Sequence, residues 1–273
     1  MRTLLHLSDL HFGRTDAALL NPLIDLSHRL RPDVIAVSGD LTQRARSVQF
    51  RQARAFLDAL PQPQIIVPGN HDVPLLNVVS RFVQPLAKYR RYITTDLRPI
   101  FLDEEMVVLG LNTARSLTFK GGRLSRAQVH WVQRQLGTLG SQVLKLVVSH
   151  HPFDVPVGHN ERAIVGRAAQ AMNALAECGA DIFLAGHLHL SHTGHSAKRY
   201  KIHGHSALLV QAGTAVSTRS RGELNSFNVL TLAAPRVTVA RYEWQAEARQ
   251  FRACVPEEFE RGPAGWERLN GSS

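Results

Sequence analysis

Cysteine is nearly absent from this chain of 273 residues: two, Cys178 and Cys254, are too few to read as a disulfide framework. A chain of this length needs no such staples, because it can bury about three quarters of its unfolded surface in its own core. Long apolar runs are missing as well. Nothing approaches the roughly 20 consecutive apolar residues of a membrane-spanning helix, and the apolar run near Met1 is too short for a secretory leader. No internal repeat and no low-complexity linker interrupts the chain. These absences lead to the expectation of a reduced, cytoplasmic protein of one or two domains.

Composition is otherwise that of an ordinary soluble enzyme, with 44% hydrophobic and 20% charged residues. The net charge of +10 invites a nucleic-acid reading. The basic residues are scattered, however, as with Arg44, Arg46, Arg51 and Arg54 on one helix-like stretch, and glutamates balance the arginines after Pro235. That distribution fits a solvated arginine-rich surface better than a dedicated nucleic-acid groove. Attraction to an anionic substrate, an anionic lipid head group or nucleic acid is compatible with either.

Short apolar runs alternate with helical patterns, as in α/β proteins. Residues 3–7, 34–37, 65–67, 107–111, 144–148 and 182–185 read as buried strands. Apolar positions at helical spacing mark 17–29, 48–60, 126–136 and 168–178 as helices, with Ser125 as an N-cap and Gly179 as a stop. Beyond His189 the runs 207–212, 227–232 and 237–243 read as consecutive antiparallel strands. Residues 73–92 carry a long amphipathic pattern dotted with Arg81, Lys88, Arg90 and Arg91. It reads equally as a helical cap over an active site and as an ordinary surface helix. The expected organisation is one domain over 1–260 and a loosely packed tail over 261–273.

Chemistry-bearing residues sit just past the strands. Asp9-Leu10-His11 follows the first, Gly39-Asp40 the second and Gly69-Asn70-His71-Asp72 the third. Ser149-His150-His151-Pro152 follows the strand at 144–148, and Gly186-His187-Leu188-His189 the one at 182–185. Strand carboxyl ends are where open α/β sheets bind ligands, so five pieces of chain converge on one place. Asp9 with His11, and His187 with His189, are each one residue apart, which in a strand puts both side chains on one face. Carboxylates, imidazoles and an amide oxygen suit hard-to-borderline divalent ions, and the lack of cysteine argues against a thiolate zinc site. There are too many ligands for one ion. A pair of ions about 3.5–4 Å apart, sharing a carboxylate, would use them all. Gly39, Gly69 and Gly186 mark sharp turns or close backbone approach.

This set of motifs resembles the calcineurin-like metallophosphoesterase superfamily. The resemblance runs from the start of the chain to His189. It implies a four-layer α/β/β/α sandwich of two mixed β-sheets, with the later strands completing the second sheet. By the same resemblance one ion would be held by Asp9, His11 and His189 and the other by Asn70, His150 and His187, with Asp40 bridging. His71 would be the catalytic acid and Asp72 its orienting partner. His150 is preferred to His151 because Pro152 completes a His-x-Pro pattern. The implied cofactors are two divalent metal ions (manganese, iron, zinc or cobalt), and the implied reaction is phosphodiester hydrolysis by a hydroxide bridging them.

Around Asp40 the chain reads Gly39-Asp40-Leu41-Thr42-Gln43-Arg44. It lacks the Val-Asp-Arg-Gly tail of the protein phosphatases, the tyrosine of the purple acid phosphatases and the phenylalanine favoured by nuclease and lipid A pathway branches. It is most similar to the bacterial class III cyclic nucleotide and glycerophosphodiester phosphodiesterases, so a small phosphodiester is the expected substrate. A nucleotide–lipid pyrophosphatase or nuclease on the same site is the alternative, and a metal-free interaction scaffold is the alternative of another class. Arg115, Arg219 and Arg221, in loops after strands, are candidate phosphate-binding residues. His192, His195, His203 and His205 cluster with Lys198, Arg199 and Lys201, and are expected in a basic surface hairpin rather than a third metal site.

Overall fold

The computed structural model describes residues 1–75, 77–118, 120–219 and 222–269. Its strands form two mixed sheets. In the first, β1 (Arg2–Leu7), β2 (Val34–Val37) and β3 (Gln64–Ile66) run parallel, and β10 (Ser226–Ala233), β11 (Arg236–Gln245), β13 (Glu257–Gly262) and β14 (Gly265–Arg268) extend the far side antiparallel, with β12 (Gln250–Ala253) on β11. The second sheet has the order β4 (Ile100–Leu102), β5 (Met106–Leu111), β6 (Leu144–Ser149), β7 (Ile182–Ala185), β9 (Leu208–Gln211) and β8 (His192–His195).

Strand alternation accounts for the layering. Along β2, Val34 and Ala36 face one core while Ile35 and Val37 face another; along β5, Met106 and Val108 part company with Val107 and Leu109 in the same way. The apolar residues thus sort into three clusters. One joins the two sheets face to face. A second packs the first sheet against α1 (Ala17–Leu30), α2 (Ser47–Asp58) and α4 (Ala87–Tyr92). The third packs the second sheet against α5 (Arg126–Leu136) and α6 (Ala168–Glu177). The result is the α/β/β/α sandwich.

Helix ends follow local chemistry. Asp16 caps α1 by accepting from Ala18 N, and Ser125 and Gln128 form a reciprocal capping box on α5. The pattern at 73–92 is not one helix but two short ones, α3 (Val78–Val83) and α4. Pro85 separates them, because proline disfavours helical geometry in the residue before it, and Gln84 there adopts φ −144°.

Two sequence expectations are corrected. Residues 207–212 do not lie beside 227–232: β9 pairs parallel with β7 and antiparallel with β8 in the second sheet, whereas β10 pairs with β1 in the first. Both strands are buried, so their hydrophobicity carries no record of which sheet they join. The run from Arg261 is not loose over the described residues. It forms the β13–β14 hairpin, and Trp266 is buried between the sheets with its indole N–H donating to Asp181 Oδ1 at 3.0 Å. Residues 270–273 lie outside the described residues. Among the described residues no helix is long and apolar enough to cross a membrane.

Candidate metal centre

The ends of β1, β2, β3, β6 and β7 meet at one edge of the two sheets, and each ends in a tight turn. Asp9, His11, Asp40, His187 and His189 all have positive φ, between 47° and 74°. Left-handed backbone is uncommon for residues with side chains and persists where the surroundings enforce it, typically at functional sites. Crossing hydrogen bonds do the enforcing: Asp9 N donates to Gly39 O at 3.1 Å, His11 N to Asp40 O at 2.9 Å and Gly186 N to His150 O at 3.1 Å. Glycine is required by proximity. A Cβ on Gly69 would lie 2.1 Å from Asp40 Oδ1, and one on Gly186 would lie 1.8 Å from Ser8 Oγ.

The first group of side chains is Asp9, His11, Asp40 and His189, all buried, with ligand atoms within 4.8 Å of one another. His189 Nδ1 lies 2.9 Å from Arg219 O. A carbonyl can only accept, so Nδ1 carries the proton and Nε2 keeps its lone pair. That Nε2 points at His11 Nε2 (3.1 Å) and at Asp9 Oδ1 (3.2 Å). Asp9 Oδ1 is buried and accepts no hydrogen bond among the described residues, while Oδ2 is held by Ser8 Oγ (2.7 Å) and His187 N (2.9 Å).

The second group repeats the logic. His150 Nδ1 donates to Ser38 O at 2.8 Å, which in the neutral ring leaves the lone pair on Nε2, 3.1 Å from Asn70 Oδ1 and 3.4 Å from Asp40 Oδ2. His187 Nδ1 lies 3.3 Å from the same Nε2. Asp40 Oδ2 is also 3.7 Å from His11 Nε2, so this one carboxylate reaches both groups. His151 neighbours the second group, but both its nitrogens are engaged, with Thr113 Oγ1 at 2.8 Å and Lys120 O at 3.1 Å. Buried acceptors aimed at one another, with an orphaned carboxylate oxygen among them, are the electrostatic shape of a cation site. The residues therefore fit two ions.

Their electrostatics are strained. Burial opposes ionisation of Asp9, yet the surrounding histidines, His189 first, hold it well below the usual carboxylate range. Asp40 is held low in the same way, mainly by His150 against the cost of burial. Burial works against protonation of His150 too, but the facing Asp40 carboxylate raises it to about 9. Burial, with His150 beside it, lowers His187 to about 3.

His71 stands just outside the ligand groups. Its backbone N donates to Asp40 Oδ1 at 2.8 Å, its Nδ1 donates to Gln43 O at 2.9 Å, and its Nε2 meets Arg219 Nη1 at 3.1 Å. Burial lowers its pKa, as do His11 and Arg219, while Asp40 works the other way. The expected Asp72–His71 pairing is not made. Asp72 accepts from Leu41 N (3.1 Å), Thr42 N (2.9 Å), Thr42 Oγ1 (3.0 Å) and Gly69 N (2.9 Å), pinning the Asp40 turn to the Asn70 turn. Backbone donors 30 residues upstream out-compete a ring whose own N–H is already satisfied by Gln43.

Among the three arginines, Arg219 reaches the site. Arg115 donates to Asn112 O, Ala114 O and Gln128 Oε1 and so braces its own loop while lining a cavity of about 640 Å³ with Leu86, Ala87 and Arg90. Arg221 lies outside the described residues. Ser8, Ser38 and Gln43, which fix Asp9, His150 and His71, escaped the sequence reading because two of them act through their carbonyls. His192 and His195 lie on β8, hairpinned to β9, and belong to neither of the two groups.

The calcineurin-like phosphoesterase family model matches residues 2–191, most of the chain and every motif above. The chain belongs to this family. A glycerophosphodiester phosphodiesterase, GpdQ, from Enterobacter lignolyticus is 28% identical over 168 residues, covering 57% of this chain and 58% of that protein. The 3′,5′-cyclic adenosine monophosphate phosphodiesterase CpdA of Escherichia coli is 25% identical over 166 residues, covering 59% and 56%. The chain thus spans somewhat more than half the length of these curated relatives. Its fold matches a dimetal phosphatase from Danio rerio at a TM-score of 0.62 and 17% identity, covering 92% of this chain and 98% of that one.

Proposed function

We propose that the protein is a phosphodiesterase dependent on two divalent metal ions, acting on a small diester such as a cyclic nucleotide or glycerophosphodiester. The observation that carries this reading is the facing pair of donor groups joined by Asp40, which reaches His11 on one side and His150 on the other. The named activities of the relatives in glycerophosphodiester and cyclic-nucleotide hydrolysis support the diester preference. Manganese, iron, zinc or cobalt would all suit the His/Asp/Asn donors. When bound, two such ions activate water and neutralise charge on the phosphoryl oxygens.

The chain's own residues supply the remainder. Gln43 O fixes the proton of His71 on Nδ1, which leaves Nε2 as the atom that carries and delivers a proton to the departing oxygen. Burial makes the imidazolium a stronger acid than free histidine. Arg219, beside Nε2, is placed to hold a non-bridging phosphate oxygen. The cavity between α4 and the Asn112–Ser116 loop would take the substrate's second substituent, with the rest of the unit over 1–260 as its scaffold. Arg81 has no part in this, because it is buried and its guanidinium donates to Pro74 O, Ser116 O and Thr118 O.

The test is a panel of monoesters, diesters and pyrophosphates with each metal, paired with elemental analysis. Two metal equivalents in the wild type, at least one lost in Asp40→Asn, and faster turnover of a diester are expected. Full activity with one tightly held ion would defeat the two-metal reading. Monoesters turned over far faster than every diester would defeat the substrate class alone.

A further inference from the structure

The short helix α3 is built the wrong way round for a helix that merely covers a core. Val78, Val79, Phe82 and Val83 are all exposed, and Leu117 joins them, with exposures between 51 and 83%. The residue of α3 that points inward is an arginine. Arg81 binds the carbonyls of Ser116 and Thr118, so it fastens the loop that carries Leu117 against α3 and holds the apolar side chains in one outward patch. A groove of about 220 Å³ between α3 and α4 opens on the same face, lined by Pro74, Val79, Val83 and Ala87 with Lys88 at its edge. Contiguous exposed apolar surface of this kind marks an interaction site.

The two segments that carry the patch have charge of a single sign. Residues 73–95 hold four cations, Arg81, Lys88, Arg90 and Arg91, and no acidic residue; residues 106–153 are equally free of aspartate and glutamate. Arg90 and Arg91 of the first segment and Lys120, Arg123 and Arg126 of the second are exposed. We propose that this face docks on an anionic lipid bilayer: the aliphatic side chains of α3 and Leu117 enter the head-group boundary while the arginines and lysines meet lipid phosphates. A second copy of the chain is a poor occupant, because self-docking would bring two cationic segments together. Single-stranded nucleic acid would want a row of aromatic platforms, and among the described residues Phe82 is the one exposed large aromatic in the patch. The cavity proposed for the substrate opens beside the same helices, lined by Val83, Leu86 and Ala87. Docking would therefore bring the mouth of that cavity to the membrane surface.

Sedimentation with vesicles of phosphatidylcholine alone, and of phosphatidylcholine with phosphatidylglycerol, tests this on the intact protein. The wild type should pellet with the anionic vesicles only, and release in high salt. Changing Val79→Ser and Phe82→Ser together leaves every charge in place and removes two exposed apolar side chains, and should weaken partitioning about tenfold or more. Circular dichroism and metal content of the variant should match the wild type. Partitioning that the double variant retains would reduce the effect to non-specific charge attraction and overturn the proposal. So would a failure of the wild type to pellet, a dimer that the double substitution dissociates, or tighter binding to an oligonucleotide than to anionic vesicles.

Discussion

Removing Asp72 should show how the centre is held together. Its side chain is 1% exposed and satisfies the backbone N–H groups of Leu41, Thr42 and Gly69 as well as the Thr42 hydroxyl. In Asp72→Ala three backbone donors are stranded in the interior, at about 1–3 kcal/mol each. Two effects recover part of that. The carboxyl no longer bears the burial and the repulsion from Asp40 that push it up to about 7, and the smaller side chain leaves room for water. A net loss of about 3–5 kcal/mol follows. Asp72→Asn is milder. Its oxygen can keep Leu41 and Gly69, but its amide then faces Thr42 N–H, so one donor is stranded at about 1–3 kcal/mol. Urea unfolding followed by tryptophan fluorescence, in chelator so that metal binding does not contribute, reads both values. An alanine variant within about 1 kcal/mol of wild type would refute the reasoning, since a buried donor left unpaired should cost at least that much. Metal titration of the asparagine variant should also show weaker binding, because the Asp40 and Asn70 turns lose their tie.

His71→Ala should retain its metal and lose about 10²–10⁴-fold in turnover of an unactivated diester, with a much smaller loss on a nitrophenyl ester; equal losses would argue against the acid role. Burial lowers His6 and His187 to about 3, so between there and the usual imidazole range the unfolded chain binds more protons and acid destabilises the fold. Raised Asp72 opposes this between about 4 and 7. The two histidines outweigh it, and chelator-treated protein should melt earlier as pH falls below about 6.5, with a shallower slope in His6→Gln. Stability from the His150–Asp40 pairing is fully present below the unfolded histidine pKa and is lost as pH rises through about 9. Trp266→Ala should cost about 3–5 kcal/mol; a change near zero would mean that the terminal hairpin does not pack between the sheets in solution.

The parallel strands and their terminal motifs were legible because each strand is a short run of buried apolar residues that ends in a turn with polar side chains. Residues 34–37 illustrate this, since all four are buried and Gly39-Asp40 follows. Helices α1, α2, α5 and α6 were legible for the complementary reason that their apolar residues recur at one face. What could not be read is long-range or carried by backbone. The tie from Asp72 to Leu41 spans 31 positions and ends on a main-chain N–H, which every residue but proline offers. The terminal hairpin hid behind exposed glutamates and arginines, with Phe259 and Trp266 as its main anchors in the core. The outward face of α3 was hidden differently. Its amphipathic spacing was visible, but periodicity alone does not tell which face looks inward, and there a buried arginine occupies the place usually taken by leucine.

The candidate ligands are divided between the sheets. Asp9, His11, Asp40 and Asn70 follow strands of the first, and His150, His187 and His189 follow strands of the second. A pair of ions gripped by all of them would act as a clasp at one end of a book whose pages are held together along their length by Val34, Ala36, Val108, Leu146 and Leu184. The gap between the pages then sets how far apart the two halves of each grip stand. Slack introduced deep in the spine, a cavity at Val108 for example, would be felt at the clasp as looser jaws, without any ligand being touched.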